Sequence, residues 1–232
     1  MRILAIETTE RIPTVAGVES GGLLLQRSLD PDRRSVQSLA LGMRGLLDKV
    51  GWAPRDVELV AVAVGPGSFT GIRVGVTTAK TFAYAVKAEV LGIDALEAIA
   101  FGCPKNIAAV SAAVDAQRRE VMARLFRRDE AGRLQPAGDA ALLPVDTWLS
   151  DIPEGAELAG PILRKLPESR RQPLPTVDPA CWIPCAAAVG LLADRKYREG
   201  ARNSIWDLLP VYSRPSAAEE KALAARRRPI LE

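Results

Sequence analysis

The first half of the chain alternates short apolar runs with longer stretches whose apolar residues recur at helical spacing. The run at 59–63 consists of apolar residues alone, which is typical of a strand buried on both faces. Ser35–Val50 has apolar side chains three or four positions apart, which predicts a helix with a buried face. The predicted order is three strands, helix, strand, helix, strand and helix, with strands at 3–6, 14–19, 23–28, 59–64 and 90–93 and helices at 35–50, at about 71–87 and from Asp94.

The second half of the chain repeats this order in a shortened form. Strands are predicted at 107–115, 120–126 and 156–160, with a short helix at 144–149 and a closing helix at 186–197. Two tandem lobes of this plan predict an α/β protein with the duplicated ribonuclease-H-like fold of the actin, Hsp70 and hexokinase (ASKHA) type, although an unrelated two-lobed α/β protein has the same order. We expect an N-terminal lobe over residues 1–102, a smaller, degraded C-terminal lobe over 103–215 and a basic tail over 216–232.

The most distinctive segment is rich in glycine and joins the strand at 59–64 to the helix after it. Such a turn leaves backbone N–H groups at the positive end of a helix dipole, where anions bind. The spacing matches neither a Walker loop nor a dinucleotide-binding fingerprint, so a tight turn that only packs strand on helix explains it as well. The residues predicted to contact an anion or nucleotide are Gly65, Pro66, Gly67, Ser68, Thr70 and Gly71.

Composition excludes several kinds of chemistry. The chain has 232 residues, of which 48% are hydrophobic, so it can bury a full core. It has no histidine, which excludes Ser–His and Cys–His nucleophile pairs and histidine-based zinc sites. Its three cysteines are not spaced as a redox pair or a metal knuckle, so we expect reduced thiols and no metal site. No leader pattern or membrane-spanning run is present, which predicts a cytoplasmic protein without a membrane partner.

Two turns that would cradle phosphates in an ATP-binding protein of this architecture lack glycine. The first begins with Glu7, Thr8 and Thr9 and continues to Glu10, which would repel a phosphate. The second, at 115–119, carries two arginines. We therefore expect no phosphoryl transfer by this chain alone, and an ATP-dependent small-molecule kinase is the alternative function. A peptidase is more remote, because nothing orients Lys80 as a base for a nearby hydroxyl.

Basic clusters and tryptophans leave further alternatives. A net charge of +3 is mild, so clusters such as Arg118–Arg119 and the arginines at 226–228 are either solvated faces or RNA contacts. Trp148 and Trp206 are predicted to pack in the core and not to stack on bases.

The chain resembles the bacterial TsaB proteins, also called YeaZ, of the tRNA threonylcarbamoyladenosine system. The resemblance rests on residues 3–9, on the segment GPGSFTGIRVG at 65–75 with TTAK after it, and on residues 94–100, 114–121 and 209–215. It extends over almost the whole chain and is most specific in the glycine-rich segment. In the second lobe it is carried mainly by the first hairpin and the last strand.

This resemblance implies a non-catalytic scaffold or activator subunit. Such a subunit is required with TsaD and the ATPase TsaE for transfer of a threonylcarbamoyl group to the adenosine next to the anticodon of tRNA (t6A). The chain itself would then not be an enzyme and would bind no cofactor alone, with ATP and metal expected on the partner subunits. Contact with tRNA would be indirect, through the complex.

The resemblance also implies where the partner binds. In the family the two helices of the first lobe pair with the equivalent helices of TsaD, and a homodimer through the same surface is expected when TsaD is absent. Both helices have more apolar positions than one core-facing stripe needs, although they would also be apolar if they simply capped the sheet. Arg34 stands where the family usually has histidine and is expected to alter which partner sequence fits. The implied interface residues are Ser35, Leu39, Met43, Leu46, Arg73, Val76, Lys80 and Phe82.

Overall fold

A computed structural model describes residues 1–30, 35–172 and 174–214, with the backbone alone at 35–37. Several predictions lie outside the described residues: those on Arg34, on the Ser35 side chain, on the arginines at 226–228 and on the tail at 216–232. The described residues form two mixed β-sheets with helices around them. They contain no helix that is long and apolar enough to cross a membrane.

The first sheet has five strands in the order β3-β2-β1-β4-β5. Strand β1 pairs antiparallel with β2 and parallel with β4, and β4 pairs parallel with β5. The order of strands and helices predicted from the sequence for this part of the chain is confirmed. In chain order the elements are β1 (Arg2–Glu7), β2 (Thr14–Glu19), β3 (Gly22–Ser28), α1 (Ser35–Val50), β4 (Leu59–Gly65), α2 (Phe69–Val86), β5 (Glu89–Asp94) and α3 (Ala95–Phe101).

The second sheet has the order β10-β6-β7-β8, and β9 also pairs with β7. Strand β6 is antiparallel to β7 and parallel to β10. The short strand β9 was not predicted from the sequence. The elements are β6 (Ala109–Asp115), β7 (Glu120–Arg128), β8 (Leu134–Pro136), β9 (Ala141–Pro144), α4 (Val145–Ser150), β10 (Ala156–Ala159), α5 (Glu168–Arg171) and α6 (Ala186–Arg198).

The central strands of the first sheet separate two apolar cores, because successive side chains of a strand point to opposite faces. On one face, Leu4 and Ile6 pack in a cluster with residues of α1 and α2. On the other face, Ile3 and Ala5 pack with residues of α6 and α3. Helices α1 and α2 therefore lie side by side on one face of this sheet.

Helix α6 corrects one prediction from the sequence. It was expected to close the second lobe, but it packs on β1, β2 and β4 of the first sheet. Its sheet-facing side has small residues, and a side chain at Gly190 would crowd Val18 and Ala5. Its first turn is anchored there too, since the Ala186 N–H donates to Thr14 Oγ1 over 2.8 Å. The division of the chain at residue 102 stays a prediction.

Candidate functional site

The glycine-rich loop between β4 and α2 packs directly against the turn that follows β1. The N–H of Ser68 donates to the carbonyl oxygen of Thr9 over 2.9 Å, and Thr8 Oγ1 donates to the carbonyl oxygen of Gly71 over 2.8 Å. A side chain at position 71 would overlap the carbonyl of Thr8, so glycine is needed for this approach. The Ser68 hydroxyl also caps α2 by accepting from the N–H of Gly71, at 3.3 Å.

The packing of the glycine-rich loop on Thr8 therefore explains why position 71 is glycine. Gly67 lies against Thr9, whereas Thr70 is exposed at the start of α2. Pro66 follows a cis peptide bond from Gly65. These contacts favour the tight-turn interpretation of the segment, and contact with an anion or nucleotide stays a prediction.

Glu7 is buried at the end of β1, below this loop. Its Oε1 accepts hydrogen bonds from the Thr9 N–H over 2.6 Å and from the Thr9 hydroxyl over 2.5 Å. Its Oε2 is buried without a hydrogen-bond partner among the described residues. Burial raises the pKa of Glu7 to about 7, although the two bonds from Thr9 act in the opposite direction. The side chain is thus a titratable group inside the core of the first lobe.

The second predicted phosphate turn has an unusual backbone. Gln117, Arg118 and Arg119 all have left-handed φ values, of 63°, 51° and 62°, which side-chain-bearing residues seldom adopt in succession. The turn is held by the Gln117 N–H, which donates to Asp115 Oδ1 over 2.8 Å. The other oxygen, Asp115 Oδ2, accepts from Lys165 Nζ at 2.5 Å. An ammonium group thus neutralises the carboxylate that a metal would use.

These two turns do not fit a magnesium nucleotide. Asp115 is paired with Lys165, and the first turn carries Glu10, a carboxyl group whose pKa is raised by burial against the opposing effect of Arg164 and Lys165. Across residues 1–30, 35–172 and 174–214 there is also no group of three His, Cys, Asp or Glu side chains that could hold a metal ion. The chemistry of these turns disfavours the kinase alternative.

An apolar groove of about 650 Å³ runs between α1 and α2 on their outer surface. Its floor includes the buried side chains of Met43 and Trp52, and half-buried Phe82 forms part of its wall. Arg44 and Asp48 lie at its rim as an exposed pair, 4.0 Å apart. The other lining residues are Ala40, Leu47, Pro54, Thr77, Thr78, Thr81 and Ala85.

The predicted interface residues fall into three groups in the structure. Phe82 and Met43 line the groove, with Met43 only 4% exposed at its floor. Leu39 and Leu46 are fully buried in the core under the helices, and Val76 is only 3% exposed. These three side chains do not face outward in the structure, so their contact with a partner stays a prediction. Their apolar spacing comes from the stripe that faces the sheet.

Arg73 and Lys80 form the third group, because both contact a segment of the chain that sequence reasoning did not connect with α2. This segment, residues 203–214, is called the strap below. Arg73 Nε donates to the Tyr212 hydroxyl over 2.8 Å, and Lys80 Nζ lies 3.1 Å from the carbonyl oxygen of Leu208. The strap also bonds to the end of β4, where the Val211 N–H donates to the carbonyl oxygen of Val64 over 2.7 Å.

The strap reaches the second lobe at its far end. Arg214 Nε donates to the carbonyl oxygen of Ala116 over 2.9 Å, and its guanidinium pairs with Glu120. One segment thus connects α2 of the first lobe with the left-handed turn of the second. No periodic pattern marks it, and the only sequence signal was the resemblance of residues 209–215 to the TsaB proteins.

The strap also places apolar side chains on the surface. Trp206 is 75% exposed and meets Tyr84 of α2 edge to face, with 6.2 Å between ring centroids. The prediction that Trp206 packs in the core is wrong, because only Leu208 and Ile205 of the neighbouring residues turn inward. Trp148, in contrast, is buried as predicted, and its Nε1 donates to Ser111 Oγ over 2.9 Å. On the strap, Leu209 and Val211 are exposed as well as Trp206.

Comparison with known proteins agrees with this architecture. The family described as "TsaD: tRNA N6-adenosine threonylcarbamoyltransferase" matches residues 31–176. The tRNA threonylcarbamoyladenosine biosynthesis protein TsaB of Escherichia coli (strain K12) is 28% identical over 227 residues, which cover 95% of this chain and 98% of the relative. The Bacillus subtilis (strain 168) protein of the same name is 29% identical over 155 residues, covering 66% of this chain and 67% of the relative.

Solved structures give the same result. YeaZ from Pseudomonas aeruginosa superposes with a TM-score of 0.75 at 26% identity and covers 91% of this chain and 99% of its own. The activator of the 2-hydroxyisocaproyl-CoA dehydratase from Clostridium difficile has a TM-score of 0.50 at 11% identity, with 88% of this chain and 100% of its own covered, and so shares the fold alone. The predicted two-lobe ASKHA fold is confirmed. The family match extends over more than half of the chain and the relatives match along most of it, so the chain belongs to the TsaB (YeaZ) family within the wider TsaD group.

Proposed function

We propose that this chain is a cytoplasmic, non-catalytic subunit of the machinery that makes threonylcarbamoyladenosine in tRNA. In this proposal it binds a TsaD-type subunit through the outer surface of α1 and α2 and acts together with TsaE. ATP and metal would be bound by the partner subunits, and tRNA would be contacted through the complex. The names of the relatives, which place TsaB in threonylcarbamoyladenosine biosynthesis, support the pathway.

The observation that carries this proposal is the apolar groove between α1 and α2. Its wall and floor, with Phe82, Met43 and Trp52, are lined by large apolar side chains, yet the groove opens on the surface. A groove between two helices that lie side by side accepts apolar side chains from the helices of a second protein, as in a helix bundle. Surfaces of this kind in soluble proteins mark interaction sites.

The phosphate turns support the non-catalytic part of the proposal. A catalytic ASKHA protein needs turns that admit phosphate and an acidic group that is free for a metal. Here Asp115 is paired with Lys165, and the loop at Gly71 is packed against Thr8. In a subunit whose turns are occupied by its own side chains and backbone, the contribution to tRNA modification is best explained by binding to a catalytic partner.

Reconstitution tests the proposal. The full chain is mixed with its host's TsaD, TsaE and TsaC products, tRNA, threonine, bicarbonate and ATP, and threonylcarbamoyladenosine formation is followed with and without it. Thr81→Arg places a charge at the exposed rim of the groove and is expected to abolish both the complex with TsaD and the modification. The matched control is Thr147→Arg, at another exposed helical threonine, on α4 of the second lobe, which should leave both unchanged.

Two results would contradict the proposal. Modification that proceeds equally without the chain would exclude a required subunit, and ATP turnover by the purified chain alone would exclude a non-catalytic one. The size of the isolated chain, measured by light scattering, tests the expected homodimer. If the homodimer uses the same surface, Thr81→Arg makes the chain monomeric and Thr147→Arg does not.

A further inference from the structure

Arg73 on the outer side of α2 has a guanidinium group that is held in one orientation. Its Nε donates to the Tyr212 hydroxyl over 2.8 Å. Its Cζ lies 3.9 Å from the centroid of the Phe69 ring and 5.6 Å from that of Tyr212. The two rings themselves are 4.8 Å apart between centroids. An exposed arginine ordinarily samples many rotamers, whereas this one is fixed by a hydrogen bond and by stacking.

The outer edge of this group is left for another molecule. Of the five N–H donors of a guanidinium, the one on Nε is used by Tyr212. Among the described residues neither Nη atom of Arg73 donates a hydrogen bond or pairs with a carboxylate, and the residue is exposed. The paired Nη donors are the ones that bind both oxygens of a carboxylate end-on.

The segments that carry Arg73 and its contacts contain few acidic residues. Residues 59–88, which include the whole of α2, contain no aspartate or glutamate. The strap contributes one acid, Asp207. Lys80, the next basic residue along α2, directs its ammonium group to carbonyl oxygens of the strap. Arg73 therefore offers a positive charge that an acidic group of a second molecule would complement.

We propose that Arg73, oriented by Tyr212 and Phe69, is a preset receptor for a carboxylate of the protein that docks on α2. This inference rests on the proposed function, and the partner is the TsaD-type subunit. A carboxylate fits better than the phosphates of a nucleic acid, because a nucleic-acid backbone is bound by several cations along its length. The surface beside Arg73 instead exposes the apolar residues Phe69, Leu209 and Val211. A fixed arginine among exposed aromatic and aliphatic side chains is typical of the centre of a protein interface.

Tyr212 acts in this proposal as a positioning residue. Its hydroxyl accepts from Nε and thereby turns the Nη edge outward, and its own O–H remains able to donate to the same carboxylate. A lysine at position 73 could supply the charge but neither the stacking nor the two parallel donors. The arrangement therefore predicts that the charge alone is not sufficient.

Calorimetric titration of the full chain with TsaD from the same organism tests this inference. Arg73→Ala is expected to raise Kd about tenfold, Arg73→Lys nearly as much, and Tyr212→Phe about threefold. Tyr212→Phe should have no further effect in the Arg73→Ala background, because the hydroxyl acts through Arg73. Arg127→Ala, which removes an exposed arginine from β7 of the second sheet, is the matched control and should leave Kd unchanged. Added salt should weaken the wild-type complex more steeply than the Arg73→Ala complex.

The outcomes separate this inference from the proposed function. If Thr81→Arg abolishes binding while Arg73→Ala binds like the wild type, the groove is the interface and the carboxylate receptor is wrong. If Arg73→Lys binds like the wild type, the preset geometry is wrong. If Arg73→Ala spares the protein complex but weakens its binding to tRNA, the ligand is a phosphate and the proposal is overturned. If the wild-type chain does not bind TsaD, the proposed function fails first.

Discussion

Lys80 of helix α2 and Leu208 of the strap are joined by a hydrogen bond from the ammonium group to a backbone carbonyl oxygen, over 3.1 Å. The same ammonium group lies 3.4 Å from the carbonyl oxygen of Trp206. Leu208 itself is buried in the core beneath the helices. The lysine thus fastens an irregular segment, which has few backbone partners of its own, to the helix that we propose as a docking element.

Lys80→Met should loosen the strap without unfolding the protein. The substitution keeps the aliphatic stem but removes the donors, and a hydrogen bond from a charged group at a half-exposed site is worth about 1 kcal/mol. Hydrogen exchange should be faster at the Val211 amide, which donates to Val64. Lys87→Met, at the end of the same helix, is the control and should leave exchange at Val211 as in the wild type. Equal exchange in both variants would mean that Lys80 does not hold the strap.

Glu7 should make the folded protein less stable as the pH rises. Its pKa is raised by burial to about 7 in the folded chain, from 4.5 for a free glutamate. Between these values the folded state binds more protons than the unfolded state, so the stabilising contribution is complete below about pH 4.5 and is lost as the pH approaches 7. Integrated over this window, the effect is about 3 kcal/mol at most.

Glu7→Gln removes this titration and should flatten the pH dependence. The gain in stability of the variant over the wild type, measured by urea unfolding, is expected to grow from pH 5 to pH 8. Glu154→Gln changes an exposed glutamate and should leave the slope as it is. A wild-type slope that is unchanged by Glu7→Gln would show that Glu7 has an ordinary pKa.

Leu39 and Leu41 of α1 should respond very differently to truncation. Leu39 is fully buried, whereas Leu41 is 55% exposed on the same helix. Leu39→Ala leaves a cavity in the core and is expected to lower the free energy of unfolding by about 2–5 kcal/mol, whereas Leu41→Ala should change it by less than about 1 kcal/mol. Chemical denaturation measures both. Similar losses for the two variants would contradict the burial pattern of α1.

The two tryptophans at 148 and 206 offer a parallel comparison. Trp148→Ala should cost about 3–5 kcal/mol, because the side chain is buried and its N–H is bonded to Ser111. Trp206→Ala removes an exposed ring and should cost less than about 1 kcal/mol. Quenching of tryptophan fluorescence by iodide provides a second check, since Trp206 should account for most of the accessible emission. Protection of Trp206 from iodide in the isolated chain would indicate that its ring is covered.

The sequence predicted best the helices and strands whose apolar residues recur at a regular spacing. The bounds predicted for α1 and β2 are those of the structure, and α2 begins two residues earlier than expected because Ser68 caps it. The glycine at 71 was recognisable as a requirement for close approach, but not the Thr8 carbonyl that it approaches. Elements with a regular spacing of apolar side chains, every second residue in a strand and every third or fourth in a helix, can be recognised from that spacing.

Long-range partners were not predictable in this way. The apolar stripe of α1 could not be divided by spacing into side chains that face the sheet, such as Leu39, and side chains that face the groove, such as Met43. Arg73 and Lys80 were predicted to face a partner protein, and that contact stays a prediction; their contacts with the strap were not predicted. Nothing in the order of elements indicates that an irregular segment, 126 to 139 residues farther along the chain, returns to α2.

The position of α6 has a consequence for how the chain folds as it is synthesised. One face of the first sheet, with Ile3 and Ala5, is covered largely by a helix that begins at Ala186. A nascent chain therefore carries this face uncovered while the entire second sheet is translated. The first lobe can complete its core only after residue 198 has left the ribosome, so the N-terminal strands depend on a helix made late in synthesis.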